Sequence, residues 1–469
     1  MAVSLISDAV RDSRDPAVFH AASGRSWSYA QLCDAARSLQ DRLPRKKCLA
    51  FCFCDTDVTT IINYLALLSA GHAVALLSAD NAGLQKSLLE SYQPELLLSS
   101  RPLPFATGGY KTSTHHTSII YTGVGEPDSE LHPDLAVLLS TSGTTGSAKF
   151  VRLSHRNILS NAAAIGQALA ITSADRAMCS LPFHYSYGLS VLNSHLLAGA
   201  SLAVSADGLM NSGFWDVCRE ARCTSMAGVP YSYQVLDRLG LDGLRVPALT
   251  TLTQAGGKLN SKLISKFHLV MEQRQGRFFT MYGQTEATAR IAILPARDLP
   301  RKLGSAGLPI PGGRFMIKME NGAYTTDTGA RGELIYSGPN VMLGYATERA
   351  DLARGDTLNG MLSTGDLCEL DAEGYLFVSG RMKRDAKVLG LRINLDEVED
   401  RLRGNGPTAV VAGQDKLYVF CEYGTPSALS ILHHQLASDL KLNHAAFEFR
   451  RTEKLPTTQN GKIDYASLL

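Results

Sequence analysis

The sequence predicts an α/β protein, with a large multi-layer N-terminal part of β-sheets and helices and a small α+β unit at the C-terminal end. Three observations predict this. The chain has 469 residues, more than one hydrophobic core usually serves. In its first third, helical spacing alternates with continuous apolar runs of strand length, the pattern of layered sheets and helices. From about Gly380 the pattern changes to short strands around one helix.

Taken in order, Tyr29 to Leu43 has helical spacing, and the Cys52-Phe53-Cys54 stretch reads as a buried strand. The longest uncharged stretch, Tyr64 to Ala79, is interrupted by Gly71 and His72. It falls short of the roughly 20 residues that span a bilayer, so it reads as helix, turn and the core strand Ala73 to Leu77. Leu135 to Leu139 is a second continuous apolar strand, and Phe278 onward a third. Glycine-rich turns stand at Ala255-Gly256-Gly257, from Leu308 to Gly313, and at Gly338-Pro339. Beyond Gly380 come strands near Thr408 to Ala412 and Leu417 to Tyr423, a helix near Leu429 to Leu440, and a lysine-bearing tail. No repeat or low-complexity linker is visible.

Composition excludes several classes. With 45% hydrophobic and 19% charged residues the chain is an ordinary globular one, and its net charge of +2 comes without runs of like charge. Nucleic acid and anionic membrane surfaces are therefore not expected partners, and no transmembrane segment is expected. Nine cysteines lie scattered from Cys33 to Cys421, with only Cys48, Cys52 and Cys54 grouped. They form no CxxC pair and no zinc-like arrangement with histidine, which favours a reduced, cytoplasmic protein. Met1 to Val10 lacks a charged head before an apolar core, which argues against export.

Four segments carry chemistry. The first, Ser140 to Lys149, is dense in hydroxyls and glycine and ends on a lysine. Backbone N–H groups freed by glycine, hydroxyl donors and a cation together suit a polyphosphate; a solvated turn is the alternative. It is not a P-loop, because Phe150 follows Lys149 where a serine or threonine would stand, so a kinase-like or GTPase-like reading loses its main support. The second runs from the Phe278 strand into Tyr282-Gly283-Gln284-Thr285-Glu286. A tyrosine face can stack on a base, a threonine can donate to phosphate, and a carboxylate can hold Mg²⁺. The alternative is a core-edge aromatic and a carboxylate facing a helix dipole. The third, Ser363 to Leu367 with Gly380-Arg381 downstream, offers Asp366 to a ribose diol and Arg381 as a donor, against ordinary turn chemistry for an Asp beside Gly. The fourth, Leu455 to Asp464, presents Lys462 from a short exposed turn; most such lysines are merely solvated.

In order and wording these segments resemble the adenylate-forming superfamily of acyl-CoA synthetases and AMP-dependent synthetases and ligases. The resemblance runs from Trp27-Ser28-Tyr29 through Thr141 to Lys149, Tyr282 to Glu286, Ser363 to Leu367 and Gly380 to Glu399, and closes on Pro456 to Lys462. It implies an adenylation core over residues 1–380 and a mobile C-terminal domain over residues 381–469 that carries Lys462. It implies that Thr141, Ser142, Gly143, Thr144, Thr145, Gly146 and Lys149 wrap the β- and γ-phosphates of ATP, that Gly256, Gly257 and Lys258 line the adenine pocket, and that Tyr282, beside Gly283, stacks on the base. Thr285 would contact the α-phosphate, and Glu286 with Thr141 would hold magnesium. Asp366 and Arg381 would bind ribose, and Lys462 would reach both the substrate carboxylate and the α-phosphate. His184 matches a histidine beside the acyl pocket, with a hydrogen-bonded core histidine as the alternative. Lys383 falls at the family's hinge, beyond which the Lys387-Val388-Leu389-Gly390 segment would serve the thiol step.

The activity implied is ATP- and Mg²⁺-dependent activation of a carboxylic acid as its acyl-adenylate, followed by thioester formation. Coenzyme A is the first acceptor considered, the phosphopantetheine thiol of an acyl or peptidyl carrier protein the alternative, and a non-catalytic nucleotide-binding protein the third reading. Tyr185 and Ser186 stand where amino-acid-activating members carry an aspartate, which disfavours an α-amino acid. The acyl pocket is expected around Tyr185 to Asn193, Met226 to Tyr231 and Ala255 to Gly257, residues that suit an aliphatic or aromatic acid. Ala148, Phe150 and Ala386 depart from the family's usual residues, which bears on the phosphate loop and the thiol step.

Overall fold

The computed structural model describes residues 5–80, 82–104, 109–123, 130–140, 149–388, 391–413, 416–439, 443–458 and 463–468. Two large sheets dominate. One has eight strands, with Leu49–Cys54 at its centre between Ala73–Ser78 and Leu96–Ser99, all parallel. Leu135–Ser140 lies parallel beyond Ala73–Ser78, and Phe150–Ser154 follows it antiparallel, itself edged by Gly344–Ala346. All six residues of Leu49–Cys54 are buried, as a parallel strand covered on both faces requires.

The second sheet has nine strands. Ser201–Val204, Arg176–Met178, Ser225–Gly228, Thr251–Gln254 and Arg277–Tyr282 run parallel, and Ala292–Leu294 turns back antiparallel on the last of them. Helices Val58–Ser69 and Ser186–Leu197 are buried on nearly every face. They belong to one core cluster that also takes side chains from both sheets, such as Ala50 and Val74 from one and Ala177 and Val204 from the other. Their buried polar residues, such as Asn63 and Asn193, lie within that core as well.

Local chemistry sets where these helices begin. Asp57 caps Val58–Ser69 by accepting from Thr60 N at 2.8 Å, and Ser28 and Gln31 close a capping box on Tyr29–Gln40. Ser154 ends its strand and caps His155–Leu169 in the same way, exchanging bonds with Asn157.

A five-stranded antiparallel sheet, ordered Tyr324–Thr325, Arg314–Lys318, Arg331–Ser337, Met361–Leu370, Leu376–Arg381, completes the large body. After it come the hairpin Asp385–Val388 with Leu391–Asn394, helix Leu395–Leu402, a three-stranded sheet Thr408–Ala412, Leu417–Cys421, Phe447–Arg451, and helix Pro426–Asp439. This small α+β unit has its own core around Val398, Val410, Val419 and Leu436. The nine cysteines are free thiols, eight of them buried. Among the described residues no helix is long and apolar enough to cross a membrane, and no group of three or more His, Cys, Asp or Glu side chains is placed to hold a metal ion.

Candidate active site

Strand Arg277–Tyr282 delivers the chain to a sharp turn. Gly283 is obligatory there, because a Cβ would stand 1.9 Å from Ala289 O. A 3₁₀ turn, Thr285–Ala287, follows, and Thr288 then adopts φ 64°, ψ −60°. With Ala289 N donating to Ala287 O at 2.7 Å this is a γ-turn of the strained hand, unusual for a β-branched residue.

Such strain, about 1–3 kcal/mol, persists because the surroundings over-determine it. Thr288 Oγ1 donates to Asn340 O at 2.7 Å, and Asn340 Nδ2 donates to Ala287 O and to Arg290 O, both at 2.9 Å. Tyr336 OH donates to Asn340 Oδ1 at 2.8 Å. Asn157, from the capped helix, donates to Pro339 O and Val341 O and so holds the loop that carries Asn340. Asn340→Ala removes three hydrogen bonds and strands the buried Tyr336 hydroxyl. The expected loss is about 2–4 kcal/mol, read as an earlier melting transition, and unchanged melting would show that Asn340 does not hold this turn.

Glu286 leaves the turn beside Tyr345 of the eight-stranded sheet. Its Oε1 accepts from Tyr345 OH at 2.6 Å, and Lys149 Nζ lies 3.6 Å above the centre of the Tyr345 ring. Tyr345 pairs with Val151 across the strands, so the Phe150–Ser154 strand that follows Lys149 also fixes Tyr345. Thr285 Oγ1 donates to Ser186 Oγ at 3.1 Å, at the first turn of helix Ser186–Leu197.

Asp366 stands next to Tyr282. Their hydrogen bond joins Tyr282 OH to Asp366 Oδ2, and Arg381 Nε donates to Oδ1 at 3.2 Å. Asp366 and Arg381 face each other as register partners on adjacent strands. Asp366 therefore lies on a strand and not in the turn that the neighbouring glycine suggested. Burial pushes its carboxyl above the usual range, against the pull of Arg381 and Tyr282. Burial likewise pushes the Tyr282 hydroxyl up.

His184 precedes the buried helix with Nδ1 buried and unpartnered, and burial lowers its pKa, which favours the neutral ring. Gly256 has φ 83°, and a Cβ there would meet Tyr185 OH at 2.5 Å; at Gly257 it would stand 3.1 Å from Pro230. The ammonium of Lys258 is paired with Asp400 on helix Leu395–Leu402 of the small unit. Lys387 lies in strand Asp385–Val388 and Lys383 in the turn Met382–Arg384. Thr141, Ser142, Gly143, Thr144, Thr145, Gly146 and Lys462 lie outside the described residues.

A small cavity, about 30 Å³, lies between helices His155–Leu169 and Ser186–Leu197 and the nine-stranded sheet. Tyr187, Ser190, Val191, Met226 and Ala227 line it, all within the stretches expected from sequence. Arg290, Asn340 and Tyr345 were not anticipated. Signals for two existed in an arginine inside the apolar run Ala289 to Leu294 and an asparagine directly after Gly338-Pro339.

Residues 7–346 match the family described as AMP-binding enzyme. The chain is 30% identical over 349 residues to a medium-chain fatty-acid–CoA ligase of Escherichia coli strain K12, covering 70% of this chain and 60% of that protein. It is 25% identical over 475 residues to tyrocidine synthase 3 of Brevibacillus parabrevis, covering 95% of this chain and 7% of that protein. The chain thus spans less than two thirds of the length of either relative. A solved structure of Bacillus subtilis o-succinylbenzoate CoA synthetase with its acyl-adenylate intermediate superposes with a TM-score of 0.77 at 22% identity, over 96% of this chain and 94% of that one. It shares the fold of a large N-terminal and a small C-terminal domain.

Proposed function

Given that the chain belongs to the AMP-binding enzyme family, we propose that it converts a carboxylic acid and ATP to an acyl-adenylate and pyrophosphate, and then transfers the acyl group to the thiol of coenzyme A. The observation that carries this reading is the convergence of Tyr282, Asp366 and Arg381 beside the turn that holds Thr285 and Glu286. A buried carboxylate braced by a guanidinium is suited to accept from both hydroxyls of a ribose, with the Tyr282 ring alongside for the base. Gly256 and Gly257 supply a backbone edge that a side chain would close, and Lys258 follows them.

Glu286 offers Oε2, which has no hydrogen-bond partner among the described residues, and Lys149 stands over the face of the Tyr345 ring. A carboxylate oxygen is the donor magnesium prefers, so Glu286, with Thr141, fits the metal. Bound there, magnesium supplies charge neutralisation on the triphosphate. In the first step a carboxylate oxygen bonds to the α-phosphorus, and the bond from that phosphorus to the bridging oxygen breaks, releasing pyrophosphate. Two anions must meet. Thr285 orients the α-phosphate, the Thr141 to Lys149 segment holds the β- and γ-phosphates, and Lys462 bridges the carboxylate and the α-phosphate. In the second step the thiol sulfur bonds to the acyl carbon, the bond from that carbon to the AMP oxygen breaks and the thiol proton passes to solvent, with Lys387 and its hairpin presented by the small domain that follows the Met382–Arg384 turn. His184, kept neutral by burial, borders the acyl end.

The free thiols support a cytoplasmic location. A second acceptor, a carrier-protein phosphopantetheine, is favoured by the match to tyrocidine synthase 3. The test is pyrophosphate release over a panel of carboxylic acids with ATP and Mg²⁺, followed by mass detection of the product formed with coenzyme A or a holo carrier protein. Acid-dependent pyrophosphate release and acyl-CoA are expected. Release without acyl-CoA, discharged only by the carrier, moves the reading to the second acceptor, and no release with any acid removes it.

A further inference from the structure

The wall of the acyl cavity is apolar along Ile165, Leu169, Val191 and Met226, yet it contains an arginine. Arg290 is only 2% exposed. Its Nε has no hydrogen-bond partner, and its one side-chain bond is from Nη2 to Ser190 Oγ at 3.4 Å. The guanidinium otherwise lies over the Tyr187 ring, 4.5 Å from its centre. Among the described residues no carboxylate pairs with it. The acidic residue of the cavity, Asp175, bonds instead to Thr172 and Thr224.

A guanidinium taken out of water without a counter-ion is among the costliest groups a protein can bury, and a ring face offsets only part of that cost. Simple packing would be met by methionine or leucine. The position also matters. Ser190 is one helical turn, about 6 Å, beyond Ser186, whose hydroxyl accepts from Thr285. Arg290 therefore meets this helix one turn along from the residue assigned to the α-phosphate, on the side of the cavity that Ser190 lines.

We propose that the acid activated here carries a second anionic group, a carboxylate or similar oxyanion at the far end of an apolar body, and that Arg290 is the specificity-determining residue that binds it. This rests on the adenylation reading above and adds the substrate class. The acid's reacting carboxylate lies at Thr285, its body crosses the apolar wall, and its second anion neutralises Arg290 through the unused N–H groups.

The test compares linear α,ω-dicarboxylates with monocarboxylates of equal chain length as substrates for pyrophosphate release. The wild type should favour the dicarboxylate of the best length by at least about 10-fold in kcat/KM, the scale of a charge-assisted bond. Arg290→Met should lower the dicarboxylate-to-monocarboxylate ratio by about 10- to 100-fold, mainly through KM. The dicarboxylate alone, without ATP, should raise the melting temperature of the wild type and not of the variant. If Arg290→Met does not fold, Arg290→Lys, which keeps the charge and loses the fork, should retain a reduced preference. A wild type that favours monocarboxylates, or a ratio that Arg290→Met leaves unchanged, overturns the proposal. If no acid of either kind releases pyrophosphate, the adenylation reading fails, and the thermal shift by dicarboxylate then decides the Arg290 site by itself.

Discussion

Glu286→Gln should abolish most adenylation while leaving the fold intact. The substitution keeps the side chain's length and an oxygen that can still accept from Tyr345 OH, the bond Glu286 makes at 2.6 Å. What it removes is the negative charge that a divalent cation prefers. Acid-dependent pyrophosphate release should fall by about 10²–10³-fold, the scale of losing one preorganised electrostatic contact to the transition state. Melting should move little, because the turn is held by Thr288, Asn340 and backbone bonds and not by the carboxylate. Raising the magnesium concentration should recover part of the loss. A variant that melts early yet turns over normally would make Glu286 a structural residue, its carboxylate serving only to anchor Tyr345 to the Thr285–Ala287 turn.

What the sequence made legible follows from how local each signal is. Strands Ala73–Ser78 and Leu135–Ser140 were readable because both faces are covered and every residue of the run had to be apolar. The helix expected near Leu429 begins three residues earlier, at Pro426, since proline is at home in a first turn although the apolar pattern starts later. Asp366 looked like a turn residue because Gly365, with φ 72°, sits inside a strand whose pairing slips between Leu367 and Cys368. The local signal there was genuine, and tertiary pairing overrode it.

The site's motif residues were legible one by one, whereas their mutual contacts were not. Tyr282 meets Asp366 84 residues away, and Tyr345 meets Glu286 across 59. Arg290 and Asn340 escaped notice for the same reason. Their meaning depends on a cavity and a strained turn assembled from distant segments, and no periodicity reports either.

Lys462→Ala should separate the two half-reactions. Arg381 bonds to Asp366 in the large body, while Arg384, three residues on, bonds to Asp396 at 2.9 Å and to Glu399 in the small unit. The turn Met382–Arg384, which contains Lys383, therefore connects two anchored ends. If the small domain swings about this turn, Lys462 serves the meeting of carboxylate and α-phosphate and then withdraws. Lys462→Ala should lose acid-dependent pyrophosphate release by about 10²–10³-fold, yet still convert a chemically prepared acyl-adenylate to thioester at near the wild-type rate. Lys383→Pro, which restricts the backbone at the turn, should do the reverse, retaining adenylation and slowing thioester formation. The Lys258–Asp400 ion pair also joins the two parts, and as an exposed pair it is a passing contact, so Asp400→Asn should disturb neither half-reaction severely. Four rates from the two main variants decide the matter, because a lysine that is only structural, or a turn that is only a linker, lowers both steps together. Only opposite losses in Lys462→Ala and Lys383→Pro require a domain that changes position between the two reactions.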